Sequence, residues 1–465
     1  MTAIVLAAGL GTRMKSSLPK VMHPLAGRPL LHYAVRAGFD AGAERVVVVA
    51  SAGAPLAASL QAEFDQTRIV TVVQDPPRGT GDAARIGIEQ VRTERVLILY
   101  GDTPLVRAEE LRALVGALDV PGASVLSVMT CTLDQPFGYG RVLRDGLGGV
   151  VGIVEERDLR TPGEQAIREV NAGMYAGDTE AVRLALAQLE PNNAQGEYYL
   201  TDIVSLLARA SRVSAVFGHP HSLLGVNDRA QLREAEELML ERIRRRHEQS
   251  GVTVRGAARI DDRVEIGEDS VIEAGVVLRG ATRIGARTVV DVGSVLSDAA
   301  IGDGVLIKPY TVISASRVGD NAQLGPFAHV RPESELDADV HLGNFVETKK
   351  TRLRRGAKAN HLAYLGDADV GERTNVGAGT IICNYDGFSK HRTVIGEGAF
   401  IGSDSQLVAP VTIGAGAYVA TGTTITDDVP ADALAIGRAR QENKQGYAPK
   451  LKARLAAARD AQKKT

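Results

Sequence analysis

Near its start the chain reads IVLAAGLGTRM, an apolar run that passes straight into small residues, two glycines, a threonine and an arginine. Glycines in that place let backbone N–H groups come close to an anion. The Walker pattern GxxxxGK[ST] is absent there, and the dinucleotide fingerprint GxGxxG fails because Met14 stands where its third glycine belongs. What remains is a strand-to-loop turn with Arg13 at its end and LPK, closing on Lys20, shortly after. Backbone amides with two fixed cations suit a triphosphate. Further along, YGDTP places Asp102 directly behind an apolar run, so its carboxylate belongs at a strand's carboxyl end. NHLAYL carries His361, and a free imidazole titrates near pH ~6.5, the range a general base needs. ETKKTRLRR groups Lys349, Lys350, Arg352, Arg354 and Arg355 without the interleaved aromatics that base stacking requires.

These residues need elements to hold them. Up to about residue 226, apolar runs at 46–50, 69–73, 96–100 and 124–128 are separated by helix-compatible stretches. Continuous Val/Ile/Leu runs suit strands buried on both faces, and their alternation with helices predicts an α/β domain with a mostly parallel sheet. Ligands of such sheets bind beyond the carboxyl ends of the strands. Residues 227–250 read as one linking helix: Asp228 and Gln231 resemble a capping box, Leu232, Ala235, Met239 and Ile243 form a stripe, and Gly251 stops the run.

From Ile260 the rhythm changes to an aliphatic residue every sixth position, through 266, 272, 278, 284, 290 and 296, and on with one-residue slips to 425. Gly often follows directly, as at 267, 285, 302 and 371. A six-residue period is the hexapeptide repeat of a parallel β-helix, and it accounts for the 50 glycines. The aliphatic residue is expected to point inward and the small one to allow a corner with positive φ. Two breaks, about 347–365 and 383–394, are expected as loops extruded from the coil. A basic stretch from Arg438 is expected as a surface tail.

The totals exclude several classes. Net charge is −2, so no global basic field points to nucleic acid. The two cysteines, Cys131 and Cys383, lie too far apart in sequence for a CxxC metal or redox motif, and a reducing cytosol fits them. No apolar run has membrane-spanning length, and the N-terminal stretch is broken by Gly and Arg, unlike a secretory signal.

The string LAAGLGTRMKSSLPKVMHPLAGRPL closely resembles the sugar nucleotidyltransferases. The repeat, the linker helix and GNFVETKKTRLRRGAKANHLAYLGDADVGERTNVGAGTIICNYDG narrow the resemblance to the bifunctional bacterial N-acetylglucosamine-1-phosphate uridylyltransferase / glucosamine-1-phosphate N-acetyltransferase family, over essentially the whole chain. The resemblance implies a Rossmann-like α/β nucleotidyltransferase domain followed by a left-handed parallel β-helix. It divides the chain into 1–226, the helix 227–250, 251–437 and a tail 438–465.

For the first domain the resemblance implies UTP and N-acetylglucosamine 1-phosphate as substrates and Mg²⁺ as cofactor. Leu6, Ala7, Ala8 and Gly9 lie against the nucleotide, Arg13 and Lys20 hold the phosphates, and Asp102 and Asn227 are the metal ligands. Gln74, Gly79, Thr80, Tyr100 and Gly101 form the uracil pocket; Gly140, Glu155 and Asn171 bind the sugar. Asp82 stands where the family commonly has His.

For the second domain it implies acetyl-CoA and glucosamine 1-phosphate. His361 is the base and Glu347 orients its imidazole; Arg331, Lys349, Tyr364, Asn375 and Lys390 hold the sugar phosphate. Asn384 and Tyr385 lie beside the acetyl group, while Ala378, Ser403, Thr421 and Arg438 contact CoA, Thr421 replacing the family's common Ala. The family also implies a cytoplasmic homotrimer, with no nucleic-acid or membrane partner. Two other readings share the architecture: a single-function sugar nucleotidyltransferase with a structural hexapeptide domain, and non-catalytic subunits of a translation-factor exchange complex. The intact ETKK and NHLAYL strings speak against the first, and retention of Arg13, Lys20, Asp102 and Asn227 against the second.

Overall fold

A computed structural model describes residues 1–9, 11–120 and 124–462. The chain forms two compact units, one of Met1–Gln249 with Arg259–Val264 and one of Ser250–Ala258 with the chain from Glu265 on.

The first unit is built on β1 (Thr2–Ala7), β2 (Arg45–Ser51), β3 (Ile69–Gln74), β4 (Arg95–Tyr100), β5 (Leu126–Thr132), β6 (Arg141–Arg144), β7 (Val150–Val154), β8 (Glu169–Asp178) and β9 (Val213–Phe217). They form one sheet in the order β9-β5-β8-β4-β1-β2-β3, with β6 attached to β8 and paired with β7. Neighbours β3, β2, β1 and β4 run parallel, as do β5 and β9, whereas β8 runs antiparallel to both β4 and β5. Alternate residues divide between two cores. Ala3, Val5, Val46, Val48, Leu97 and Leu99 face Leu31, Val35, Leu111 and Leu114 of two helices. Ile4, Leu6, Val47, Val49 and Ile98 face Ala84, Ile88, Val182 and Ile203 of three others. Burial on both faces explains why these strands read as continuous apolar runs. The linking helix spans Arg229–Gln249 and buries Ala235, Met239 and Ile243, with Leu232 only half-buried. Asp228 caps it by accepting from the Gln231 N–H at 2.9 Å, and the Gln231 side chain accepts from the Asn227 N–H at 2.8 Å.

The second unit is a coil of short parallel strands forming three sheets. Through most of the coil stacked partners are 17 or 18 residues apart, as in Ile272↔Val290, Val290↔Ile307 and Leu324↔Leu342, which is three six-residue faces per turn; across the later excursion they are 25 apart, as in Val376↔Ile401. The inward aliphatics from Ile260 to Ile425 are buried, except that Ile266 is half-buried. Each fully buried one stabilises the coil by about 1.5–3 kcal/mol.

Two expectations for the coil change. Stretch 347–365 is no extrusion: Leu336↔Leu353, Leu342↔Ala359 and Thr348↔Leu365 continue the ladder without interruption. Thr348 and Ala359 fill inward positions and are fully buried, so the repeat persists behind residues that do not look aliphatic. The second break is a true excursion, from Cys383 to Thr393, pinned on Asp386, which accepts from the Phe388 and Ser389 N–H groups and pairs with His391. The glycine after each aliphatic residue also serves a different purpose. Gly267, Gly285 and Gly371 have ordinary negative φ, but a Cβ there would lie 2.5 Å from the backbone of the next turn. Positive φ falls two residues later, at Asp269, Arg287 and Arg373. The tail carries a helix, Tyr447–Gln462, with no buried residue; residues 463–465 lie outside the described chain.

Candidate active sites

The ends of β1, β3 and β4 lie level, because Ser51 pairs with Gln74, Ala7 with Ala50 and Leu6 with Tyr100. Beyond them opens a cavity of about 510 Å³. It gathers Leu6, Ala7, Ala8, Gly9, Arg13, Lys20, Gln74, Gly79, Thr80, Tyr100, Asp102 and Asn227 from four separated stretches. Gly101 lies behind this wall, its N–H donating to the Leu6 carbonyl at 2.9 Å. Gly9 has open space where a side chain would project, so a ligand can reach its backbone. Gly11 has φ +59°, and a Cβ on it would meet Lys20 Cβ at 2.6 Å, so this glycine brings Lys20 against the loop.

Lys20 is the hub of the polar cluster. Its ammonium pairs with Asp102 in a short contact and donates to Asn227 Oδ1 at 3.2 Å, and Arg13 Nη2 donates to the same oxygen at 2.9 Å. A backbone bond from the Val226 N–H to the Asp102 carbonyl, 2.9 Å, brings Asp102 and Asn227 together. Two oxygen donors therefore converge where a cation already sits, the donor chemistry that Mg²⁺ accepts while keeping water and phosphate as its other ligands. Gln195 and Glu197 also line the cavity; their loop carries no motif, and the sequence reading missed them.

Gly140, Glu155 and Asn171 form a second group. The Asn171 N–H donates to the Gly140 carbonyl at 2.9 Å, and a Cβ on Gly140 would approach Glu155 Oε2 at 3.3 Å. Asn171 Nδ2 donates to the Tyr175 hydroxyl at 2.7 Å. Burial pushes the Glu155 carboxyl above its usual range, against a bond from Thr201, and Asp202 and Asp158 add to the rise. Burial, then Glu155, raises the Tyr100 phenol, which joins this group to the larger cavity.

On the coil, strand pairing places Asn344 beside His361 and Glu347 beside Tyr364. His361 Nδ1 lies 2.8 Å from Asn344 Oδ1, while Glu347 accepts from Arg331 Nη1 at 2.6 Å. The imidazole is thus held by Asn344, in the place expected for Glu347, because register decides which side chain is adjacent. An amide oxygen facing the ring calls for a donor at Nδ1, and the neutral imidazole of that tautomer presents the Nε2 lone pair. The signal was present: 344 and 361 are 17 residues apart, one turn, and each stands two after an inward residue.

Within the basic run, Lys350, Arg352, Arg354 and Arg355 pair with Glu333, Asp337, Asp369 and Asp339. Lys349 instead faces Lys390, whose ammonium lowers its pKa. Asn375 lies on the sheet of His361, since Lys358 pairs with Asn375. Asn384 Nδ2 donates to Asp367 Oδ2 at 2.5 Å, and the exposed Tyr385 donates to the Gly387 carbonyl at 2.6 Å. Ala378, Ser403 and Thr421 each stand two residues after stacked Val376, Ile401 and Val419, so they form one row along the coil. Arg438 closes that row by donating to the Thr421 carbonyl at 2.6 Å.

Family models match stretches in both halves of the chain. The MobA-like NTP transferase domain matches residues 3–169. The bacterial transferase hexapeptide (six repeats) matches residues 392–427, and the hexapeptide repeat of succinyl-transferase matches 264–279. A relative from Sorangium cellulosum, called bifunctional protein GlmU, is 57% identical over 100% of this chain and 98% of its own. Proteins of the same name from Anaeromyxobacter dehalogenans (strain 2CP-1) and Geobacter sulfurreducens are 52% and 45% identical, each over 96% of this chain and over 92% and 98% of their own.

Proposed function

The chain belongs to the GlmU family of bifunctional proteins, and on that premise we propose how its residues divide two reactions. It is a bifunctional enzyme of UDP-N-acetylglucosamine synthesis, an α/β nucleotidyltransferase joined to a left-handed β-helix acetyltransferase. The acetyl group of acetyl-CoA passes to glucosamine 1-phosphate. UTP then uridylylates the N-acetylglucosamine 1-phosphate and pyrophosphate leaves. We assign the uridylyl reaction to residues 1–226, the acetyl reaction to 251–437, and the connection to 227–250, with 438–465 as a tail.

The observation that carries the uridylyl assignment is the convergence of Arg13, Lys20, Asp102 and Asn227 on one cavity. Phosphoryl-type transfer needs an in-line pose and cations where charge gathers. Arg13 and Lys20 neutralise the phosphates, and the glycine loop lets backbone N–H groups approach them. Asp102 and Asn227 are the residues to hold Mg²⁺, releasing Lys20 toward phosphate; the chemistry a bound Mg²⁺ supplies is charge neutralisation on phosphate oxygens. Gly140, Glu155 and Asn171 orient the acetylated sugar.

On the coil, His361 Nε2 takes the proton of the attacking amine, with Asn344 fixing the ring. Lys349 and Lys390 face each other across a place suited to a dianionic phosphate, with Arg331, Tyr364 and Asn375 completing the hold. The row Ala378, Ser403, Thr421 and Arg438 runs along CoA, with Asn384 and Tyr385 at the acetyl end. Among the described residues no helix is long and apolar enough to cross a membrane. A homotrimer in the cytoplasm, serving cell-wall precursors, is the assembly and setting we propose.

One mixture tests the whole. Purified protein given glucosamine 1-phosphate, acetyl-CoA, UTP and Mg²⁺ should yield CoA, pyrophosphate and UDP-N-acetylglucosamine by mass spectrometry. Omitting UTP should stop the sequence at N-acetylglucosamine 1-phosphate, and so should removing divalent metal. Turnover of neither sugar phosphate overturns the reading.

A further inference from the structure

Behind the wall of the nucleotide cavity lies a buried carboxylate that none of the assigned roles uses. Gln74 ends β3 and is 3% exposed. Its Nε2 donates to the Gly79 carbonyl at 3.0 Å and to Asp82 Oδ2 at 2.8 Å. Asp82 lies in the first turn of the helix Thr80–Ile88, is 6% exposed, and pairs through its other oxygen with Arg85. A carbonyl and an Arg-paired carboxylate are both acceptors, so together they take both N–H groups of the amide. That fixes which way round the amide sits, a choice its shape alone leaves open. Oε1 is then the end left for the cavity that Gln74 lines with Thr80 and Tyr100.

An amide oxygen only accepts. Uracil offers an N–H at N3, where cytosine offers a lone pair. We propose that Asp82 is a positioning residue that sets the base preference of this site: by locking the Gln74 amide with its oxygen toward the ligand, it favours uracil and rejects cytosine. The proposal rests on reading the cavity as the UTP site. Remove the carboxylate and the Gly79 carbonyl alone holds the amide, so turning it over to present N–H groups to cytosine N3 costs one hydrogen bond instead of two. A polar site left mismatched with its ligand discriminates strongly, because a buried group goes unpaired.

The test compares kcat/KM for UTP and CTP in uridylyl transfer. Asp82→Asn can donate to Gln74 and so permits the turned amide; the CTP:UTP ratio should rise about tenfold, the worth of one hydrogen bond to a charged group. Asp82→Ser removes the carboxylate by another route and should shift the ratio the same way. The double variant Gln74→Glu with Asp82→Asn has an acceptor-only side chain at 74 and a donor behind it, so uracil preference should return. A fall in both rates with the ratio unchanged makes Asp82 merely structural and overturns the proposal. So does a double variant as relaxed as Asp82→Asn. UTP turnover by the unsubstituted chain separately tests the identity of the cavity, and acetyl transfer by each variant reports that it has folded.

Discussion

At the scale of single residues, environment decides what a side chain can do. Cys131 and Cys383 are the same thiol in two settings. Cys131 is 3% exposed, and burial, then Glu169, pushes its thiol up to about 11. At pH 8 about one molecule in a thousand then carries the thiolate that reacts. Cys383 is half-buried at the end of a coil strand, where the excursion begins. A chromogenic disulfide reagent at pH 8 should therefore titrate one thiol quickly in the native protein and the second only after unfolding in guanidinium. Cys383→Ser should abolish the fast phase. A fast phase that survives this substitution would place the reactive thiol at Cys131 and contradict its burial. His361 teaches the same point differently: its residue type suggested a base, but finding its partner required the length of one turn, because strand register chooses Asn344 over Glu347.

At the scale of elements, two glycine positions on the coil look alike in sequence and differ in cause. Gly371 follows inward Val370, and a Cβ there would lie 2.5 Å from Glu397 N and from the Gly396 carbonyl carbon. Backbone cannot step aside as a side-chain tip can, so Gly371→Ala should cost about 1–3 kcal/mol or more. Gly398 has φ +65° and nothing within 4 Å, so Gly398→Ala should cost only the left-handed strain of about 1–2 kcal/mol. The discriminating measurement replaces alanine by asparagine in denaturant unfolding of each variant. Asn tolerates left-handed backbone, as Asn321 does here at φ +58°, so it should relieve the cost at 398 and increase it at 371.

The same elements show what was legible from sequence. The six-residue period named the coil because each inward side chain must stack on its equivalent, and that demand repeats in the chain. It faded at Thr348 and Ala359, since a small or hydroxylated residue can also fill the interior, and Thr351 does so by donating to the Leu365 carbonyl at 2.8 Å. The parallel strands were readable from burial on both faces. The antiparallel strand β8 was not, because its Ala172, Gly173, Ala176 and Gly177 give no β signal and only pairing with β4 and β5 makes it a strand. The end of β5 was likewise misplaced, since Met129 and Cys131 carry the buried strand to Thr132, beyond the run at 124–128.

At the scale of the whole molecule, the two reactions should be separable by single substitutions. The cavity residues from Leu6 to Asn227 all belong to the first unit, and those from Arg331 to Arg438 to the second. Neither side-chain network described above draws a residue from the other unit. Asp102→Ala removes the carboxylate paired with Lys20 and one of the two oxygen donors; it should reduce UDP-sugar formation at least about 10²-fold, while acetyl transfer stays at the unsubstituted rate. His361→Ala deletes the proposed base and should reduce acetyl transfer about 10²–10⁴-fold, with uridylylation of supplied N-acetylglucosamine 1-phosphate unchanged. Both assays belong on the same preparation, with light scattering to establish that each variant assembles as the unsubstituted chain does. Loss of both reactions from either substitution, in protein of unchanged assembly, would mean that one site depends on the other and that a single network spans the chain.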